Sequence, residues 1–148
     1  MSLVIDIADA VTAELAAAPA DTFSQAFEPK RIVLPAFELA ELGQLRVSVV
    51  PKGVQITGAT RSASQHEVSV DIGVQKKLAG GSAEIEVQVT QLCDLVQQVA
   101  DYLRKRPLAG APYAGWVRTA NEPIYVPEHL AEQRVFTSVL TLTYRALS

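Results

Sequence analysis

Residues 83–106 carry an apolar stripe at helical spacing, and long runs of alternating character flank them at residues 66–78 and 134–147. In the first run Val68, Val70, Ile72 and Val74 fall on one side, while Glu67, Ser69, Asp71, Gln75 and Lys77 fall on the other. A side-chain period of two means a strand with one buried face and one wet face, the signature of an antiparallel sheet. Between the runs, Ile85, Val89, Leu92, Val96, Val99 and Leu103 recur at spacings of four and three, after a Gly80-Gly81-Ser82 break that also offers a helix cap. Such a helix would be about 36 Å long at ~1.5 Å per residue. Fully burying each large apolar residue contributes about 1.5–3 kcal/mol, so the helix is expected to anchor the core on the sheet.

The last run places Phe136, Leu140, Leu142 and Tyr144 inward and Thr137, Thr141 and Thr143 outward. At the other end, Leu3, Ile7, Val11 and Leu15 mark a first helix over residues 3–18, with Ser2 as cap, Asp6 in the first turn and Pro19 as stop. An extended segment is expected over residues 22–34, a short helical turn over 35–42, and a strand over 44–50. Val50-Pro51-Lys52-Gly53 has the residues of a tight turn, so residues 54–57 are expected to return as its hairpin partner. The fold class is α+β: a mostly antiparallel sheet with a long helix packed on one face, an N-terminal helix and an extended Pro/Gly-rich hairpin arm.

A chain of 148 residues with 49% apolar and 20% charged residues suits one folded domain, here residues 1–148. The net charge of −3 argues against sequence-specific DNA binding, which needs a cationic excess to neutralise phosphates. Asp6, Asp9 and Glu14 interrupt the opening segment, and no stretch approaches the ~20 apolar residues of a membrane span. A soluble protein made in a cytoplasm is expected.

Catalytic patterns are missing from the chain. It has no GxSxG, P-loop, HExxH or GxGxxG pattern, and His66 and His129 have no His or Cys at ligand spacing. Strand alternation sends His66 to the face opposite Glu67 and Asp71. Cys93, the single cysteine, lies in the apolar run 92–96 and reads as core packing. Arg104, Lys105 and Arg106 read as complements to a helix C-terminus rather than as a nucleic-acid patch. No enzyme, cofactor or metal is expected.

Two segments are hard to explain as core. The loop 58–65 holds Arg61 and Ser62 among small residues. The excursion 107–127 holds four of the eight prolines and two glycines, yet carries Tyr113, Trp116, Arg118 and Tyr125, with a short hairpin expected between 115–119 and 123–126. Trp, Tyr and Arg anchor interfaces, and a long loop in a compact domain is usually functional or disordered. Arg61, Ser62, Tyr113, Trp116, Arg118 and Tyr125 are therefore the candidate contact residues.

The order of these pieces resembles a family. An amphipathic helix and a phenylalanine-bearing segment precede LPAFELAELGQLRVSVVPKG. A small polar loop, EVSVDIGVQKKL, a long helix, a Pro/Gly-rich excursion and RVFTSVLTLTYRAL follow. The most telling parts are V-x-V-V-P at 47–51, D-I-G-V-x-K at 71–76 and F-x-S-V-x-T-L-T-Y at 136–144. In this order the chain resembles the tail-terminator (tail-completion) and related neck proteins of long-tailed bacteriophages and prophages, over nearly its whole length. The resemblance implies a virion protein assembled in the host cytoplasm as a ring, usually a hexamer. The ring would cap the tail-tube protein and offer a surface to head–tail connector and neck proteins, with DNA passing through its bore. Another head–tail connector or a minor tail protein is the near alternative. A cytoplasmic ligand-binding or adaptor domain, with Tyr113 and Trp116 lining a pocket, is the alternative of a different class.

Overall fold

The computed structural model describes residues 2–33, 41–122 and 124–147. Three helices, α1 (Leu3–Ala16), α2 (Ser82–Leu103) and α3 (Pro127–Gln133), accompany strands β1 (Pro29–Arg31), β2 (Arg46–Gly58), β3 (Ser64–Lys77), β4 (Gly115–Asn121) and β5 (Val135–Leu147). Among the described residues the strands form one five-stranded sheet in the order β1-β2-β3-β5-β4. β1 runs parallel to β2, and the other pairings are antiparallel. The chain is thus α+β with a mostly antiparallel sheet.

β3 is the central strand, and its alternation sets the two faces. Val68, Val70, Ile72 and Val74 are fully buried, as are Leu142 and Tyr144 of β5. They share one hydrophobic cluster with Ile7, Val11 and Leu15 of α1 and with Leu92, Leu95, Val96, Val99 and Leu103 of α2. The opposite face pairs polar residues across β3 and β5: Ser69 with Thr143, Asp71 with Thr141, and Gln75 with Thr137. The hydroxyls of this face bond sideways, with Thr141 Oγ1 donating to Asp71 Oδ1 at 2.6 Å. That satisfies groups which the close-set strands remove from water, Thr143 being only 4% exposed.

Several local expectations are corrected. Val50-Pro51-Lys52-Gly53 is not a turn, because β2 runs straight through it with a bulge between Pro51 and Gly53. Pairing with β3 as far as Gly58 outweighs the local turn chemistry. Among the described residues β1 accompanies β2 only at Val47–Val49, so Pro51 lies where β2 has no described outer neighbour, the place a missing N–H costs least. α2 stops at Leu103 rather than at residue 106, because Arg104 is already extended and Lys105 turns the chain in the left-handed region at φ 59°. Arg106 instead folds back, its guanidinium 3.8 Å from the Tyr102 ring centroid and its Nε donating to the Tyr102 carbonyl at 2.9 Å. At its other end the helix is capped within the Gly80-Gly81-Ser82 break, at Gly81.

The excursion 107–127 also differs from a free hairpin arm. Leu108 and Ala111 are fully buried, and Ala109 N donates to Glu14 Oε2 at 3.2 Å. Gly110 passes so close to α1 that a Cβ there would lie 3.3 Å from that of Ala10. Residues 115–121 then pair along β5 and so form an edge of the main sheet, while the expected hairpin partner 123–126 lies partly outside the described residues. The strongly apolar β5 is the better partner for an edge strand. α3 was not legible as a helix; Pro127 fills its first turn, and Arg134 closes it in the left-handed region at φ 53°. The expected helical turn over 35–42 lies mostly outside the described residues, and a 3-10 turn spans Glu41–Gly43.

Candidate interaction surface

One row of paired residues crosses four strands on the apolar side of the sheet. Val54 of β2 pairs with Val68 of β3, Val68 with Tyr144 of β5, and Tyr144 with Trp116 of β4. The two inner members are fully buried. The two ends reach solvent: Val54 is 39% exposed and Trp116 is half-buried.

At the β2 end, the apolar side of the sheet is bare. Ile56, next along β2, is 63% exposed. Beyond it the strand turns back through residues 59–63, where Ala59 N and Thr60 N both donate to the Ala63 carbonyl at 3.1 Å. Thr60 Oγ1 accepts from Ala63 N at 3.0 Å and from Ser62 N at 3.3 Å, so the turn is internally braced. Arg61 and Ser62 point from this turn into solvent, and among the described residues Arg61 makes no ion pair.

At the β4 end lies a cleft of about 410 Å³ lined by Tyr113, Gly115, Trp116, Val117, Arg145 and Leu147. Tyr113 is 50% exposed and Leu147 64%. Trp116 is oriented by its indole, whose Nε1 donates to Thr119 Oγ1 at 2.9 Å. A bulge between Trp116 and Arg118 turns Arg118 onto the polar face. There Glu67 receives Arg145 Nη2 at 3.1 Å and Arg118 Nη2 at 3.7 Å. Tyr113 also borders a second cleft, shared with Asp6, Asp9, Ala10, Ala13 and Gly110.

The structure therefore brings Tyr113 and Trp116 together on one cleft at the start of β4, whereas Arg118 is turned away to Glu67 on the polar face. Arg61 and Ser62 lie at the same end of the strands but across the sheet, beyond the β2–β3 pairing. Tyr125 lies apart from both, at the other end, with its ring 6.4 Å from that of Phe136. Val54, Ile56 and Leu147 were missed as surface residues. Alternation alone puts Val54 and Ile56 on the buried side; only the reach of the helices shows that side to be bare there.

Among the described residues no convergent chemical centre accompanies these surfaces. Among the described residues no group of three or more His, Cys, Asp and Glu could hold a metal ion. His66 pairs with Ile56 and Ala146, on the face opposite Glu67 and Asp71. Cys93 is half-buried against the core, and burial first, then the neighbouring Asp94 carboxylate, pushes its thiol pKa up. That favours the unreactive thiol form. Tyr144 is the one described side chain with a buried polar atom lacking a hydrogen-bond partner, its hydroxyl. Burial, then the Glu14 carboxylate, raises its pKa well above the ordinary phenol range. No helix among the described residues is long and apolar enough to cross a membrane.

No protein-family model matches the chain, and no curated protein sequence matches it significantly.

Proposed function

We propose that this chain is a structural, non-enzymatic subunit of a long-tailed bacteriophage or prophage virion: a tail terminator that forms a homo-oligomeric ring, usually of six copies in proteins of that kind. The ring caps the tail-tube protein, presents a surface to connector and neck proteins, and lets DNA pass. The observation that carries this reading is the pair of unlike exposed surfaces on opposite edges of one sheet, Val54 with Ile56 at one and the Tyr113–Trp116 cleft at the other. A chain with two different contact surfaces builds heterologous assemblies, and these close into rings when the rotation permits. In this reading α2 is the rigid backing packed on one face of the sheet, and the part of the 107–127 excursion around Tyr113 and Trp116 supplies the contact surface. The net charge of −3 supports passage of DNA without retention. Another connector or minor tail protein would draw on the same features.

The test is the double substitution Tyr113→Ala with Trp116→Ala, read by circular dichroism and by electron microscopy of tail tubes from the phage or prophage that encodes the chain. The subunit should stay folded and fail to cap tubes. A double variant that still caps them removes residues 107–127 from the contact. A ligand-binding or adaptor domain is the second reading, favoured by the two aromatics lining one cleft. It requires a monomer or dimer that takes up a small apolar ligand there.

A further inference from the structure

The ends of the Val54–Val68–Tyr144–Trp116 row stand at the same height along the strands, toward opposite edges of the sheet. From this we infer that the outer half of β2 and the turn 59–63 of one copy seat in the Tyr113–Trp116 cleft of a second copy. The inference rests on the ring reading and deepens it by naming both halves of the contact.

Three features of the molecule fit that occupant. The first is apolar matching: Val54 and Ile56 are exposed, and the cleft offers Trp116, Val117 and Leu147, while the one cation in its lining, Arg145, is already held by Glu67 at 3.1 Å. The second is charge. Residues 54–65 contain one formally charged side chain, Arg61, and no acid. The neighbouring cleft that shares Tyr113 carries Asp6 and Asp9, and Asp9 is already met by Arg31 at 2.8 Å. Asp6 makes no ion pair among the described residues and is left to receive Arg61. The apolar pair and the cation therefore follow one another along the β2–β3 hairpin as the apolar and acidic clefts adjoin across Tyr113.

The third feature is directional. β2 from Pro51 onward has no described strand on its outer side, and β4 is the opposite edge. Docking one edge to the other uses each surface once per copy, and so propagates head to tail. Both ends lie on one cross-sheet row, so the contact adds copies side by side, and such a head-to-tail series closes into a ring when its rotation permits.

The experiment uses two variants of the full chain. Ile56→Asp disables the hairpin with a charge at an exposed site. Gly115→Tyr plugs the cleft, at a position where an added Cβ meets nothing within 4 Å. Both should melt within a few degrees of wild type, and each alone should weaken self-association at least ~30-fold in sedimentation velocity, as loss of a central anchor does. Mixed in equal amounts, they should form one-to-one heterodimers and nothing larger. The plugged copy still supplies a hairpin and the charged copy still supplies a cleft, so one contact forms and the chain of contacts stops. Variants that assemble like wild type, or two that each block assembly yet form no heterodimer, overturn the hairpin-into-cleft contact and leave the ring reading standing. A wild-type chain that stays monomeric at all concentrations overturns both.

Discussion

Trp116 lies directly across the β4–β5 pair from Tyr144, so a half-buried indole on the rim of a cleft rests beside a phenol that no solvent reaches. The two rings link the interaction surface to the core. A change to the rim should alter assembly before stability, and a change beneath it should do the reverse.

Tyr144→Phe removes a buried hydroxyl that has no hydrogen-bond partner. Leaving such a group unsatisfied costs about 1–3 kcal/mol, so the variant should be as stable as wild type or more so, by up to about 2 kcal/mol in urea unfolding. Its alkaline behaviour should differ too. The folded pKa is raised, so above pH ~10 the unfolded chain loses this proton while the folded chain keeps it, and stability falls as pH rises. Below pH ~10 the phenol is neutral in both states and contributes nothing to the pH dependence. Tyr144→Phe should flatten the alkaline loss. An identical profile would place the phenol in a more polar setting.

Leu92→Asp should abolish the cooperative thermal transition. Leu92 is 1% exposed and sits in the cluster that joins α2 to the sheet. An unpaired buried charge costs several kcal/mol, a large part of a domain's total stability. Leu92→Ala should retain the fold at a cost of about 2–5 kcal/mol. A Leu92→Asp variant that melts like the parent would detach α2 from the core.

Much of this core was legible because two periods point at it independently. The residues Val68 to Val74 alternate without interruption, and Leu92 to Leu103 hold a helical stripe, so each buried face could be read without knowledge of the other. The segment 50–58 was less legible. Pro51 and Gly53 have turn chemistry, and only pairing with β3, remote in sequence, turns them into a bulged strand. α3 has too few apolar residues to form a stripe; it is held by Leu130 against the core and by His129 Nδ1 at 3.0 Å from Thr137 Oγ1. For the candidate surface, the aromatics of 107–127 drew notice by type, yet their spacing could not reveal that Tyr125 would sit at the far end from Trp116. Nor could it reveal that Leu108 and Ala111 would be core.

Cys93 should react slowly with a neutral-pH thiol reagent in the folded protein and rapidly in urea. Its pKa is raised by burial and by Asp94, and the thiolate is the reactive species. Equal rates in the two states would mean that α2 frays through its centre.

Glu67→Gln weakens two ion pairs but should change stability little, by about 0–1 kcal/mol, because both arginines are substantially exposed. The urea midpoint should be less sensitive to 0.5 M salt in the variant than in wild type, where the salt lowers it slightly. A loss above about 2 kcal/mol would show the polar face to be an integral part of the fold rather than a solvated surface.

The ring is the central claim, and the mass of the wild-type assembly tests it most directly. Native mass spectrometry of the purified chain, over a concentration series and alongside negative-stain images, should give a closed oligomer, six copies in the terminator reading, with an open bore. A monomer or dimer across the whole series, with no ring in the images, would contradict the account.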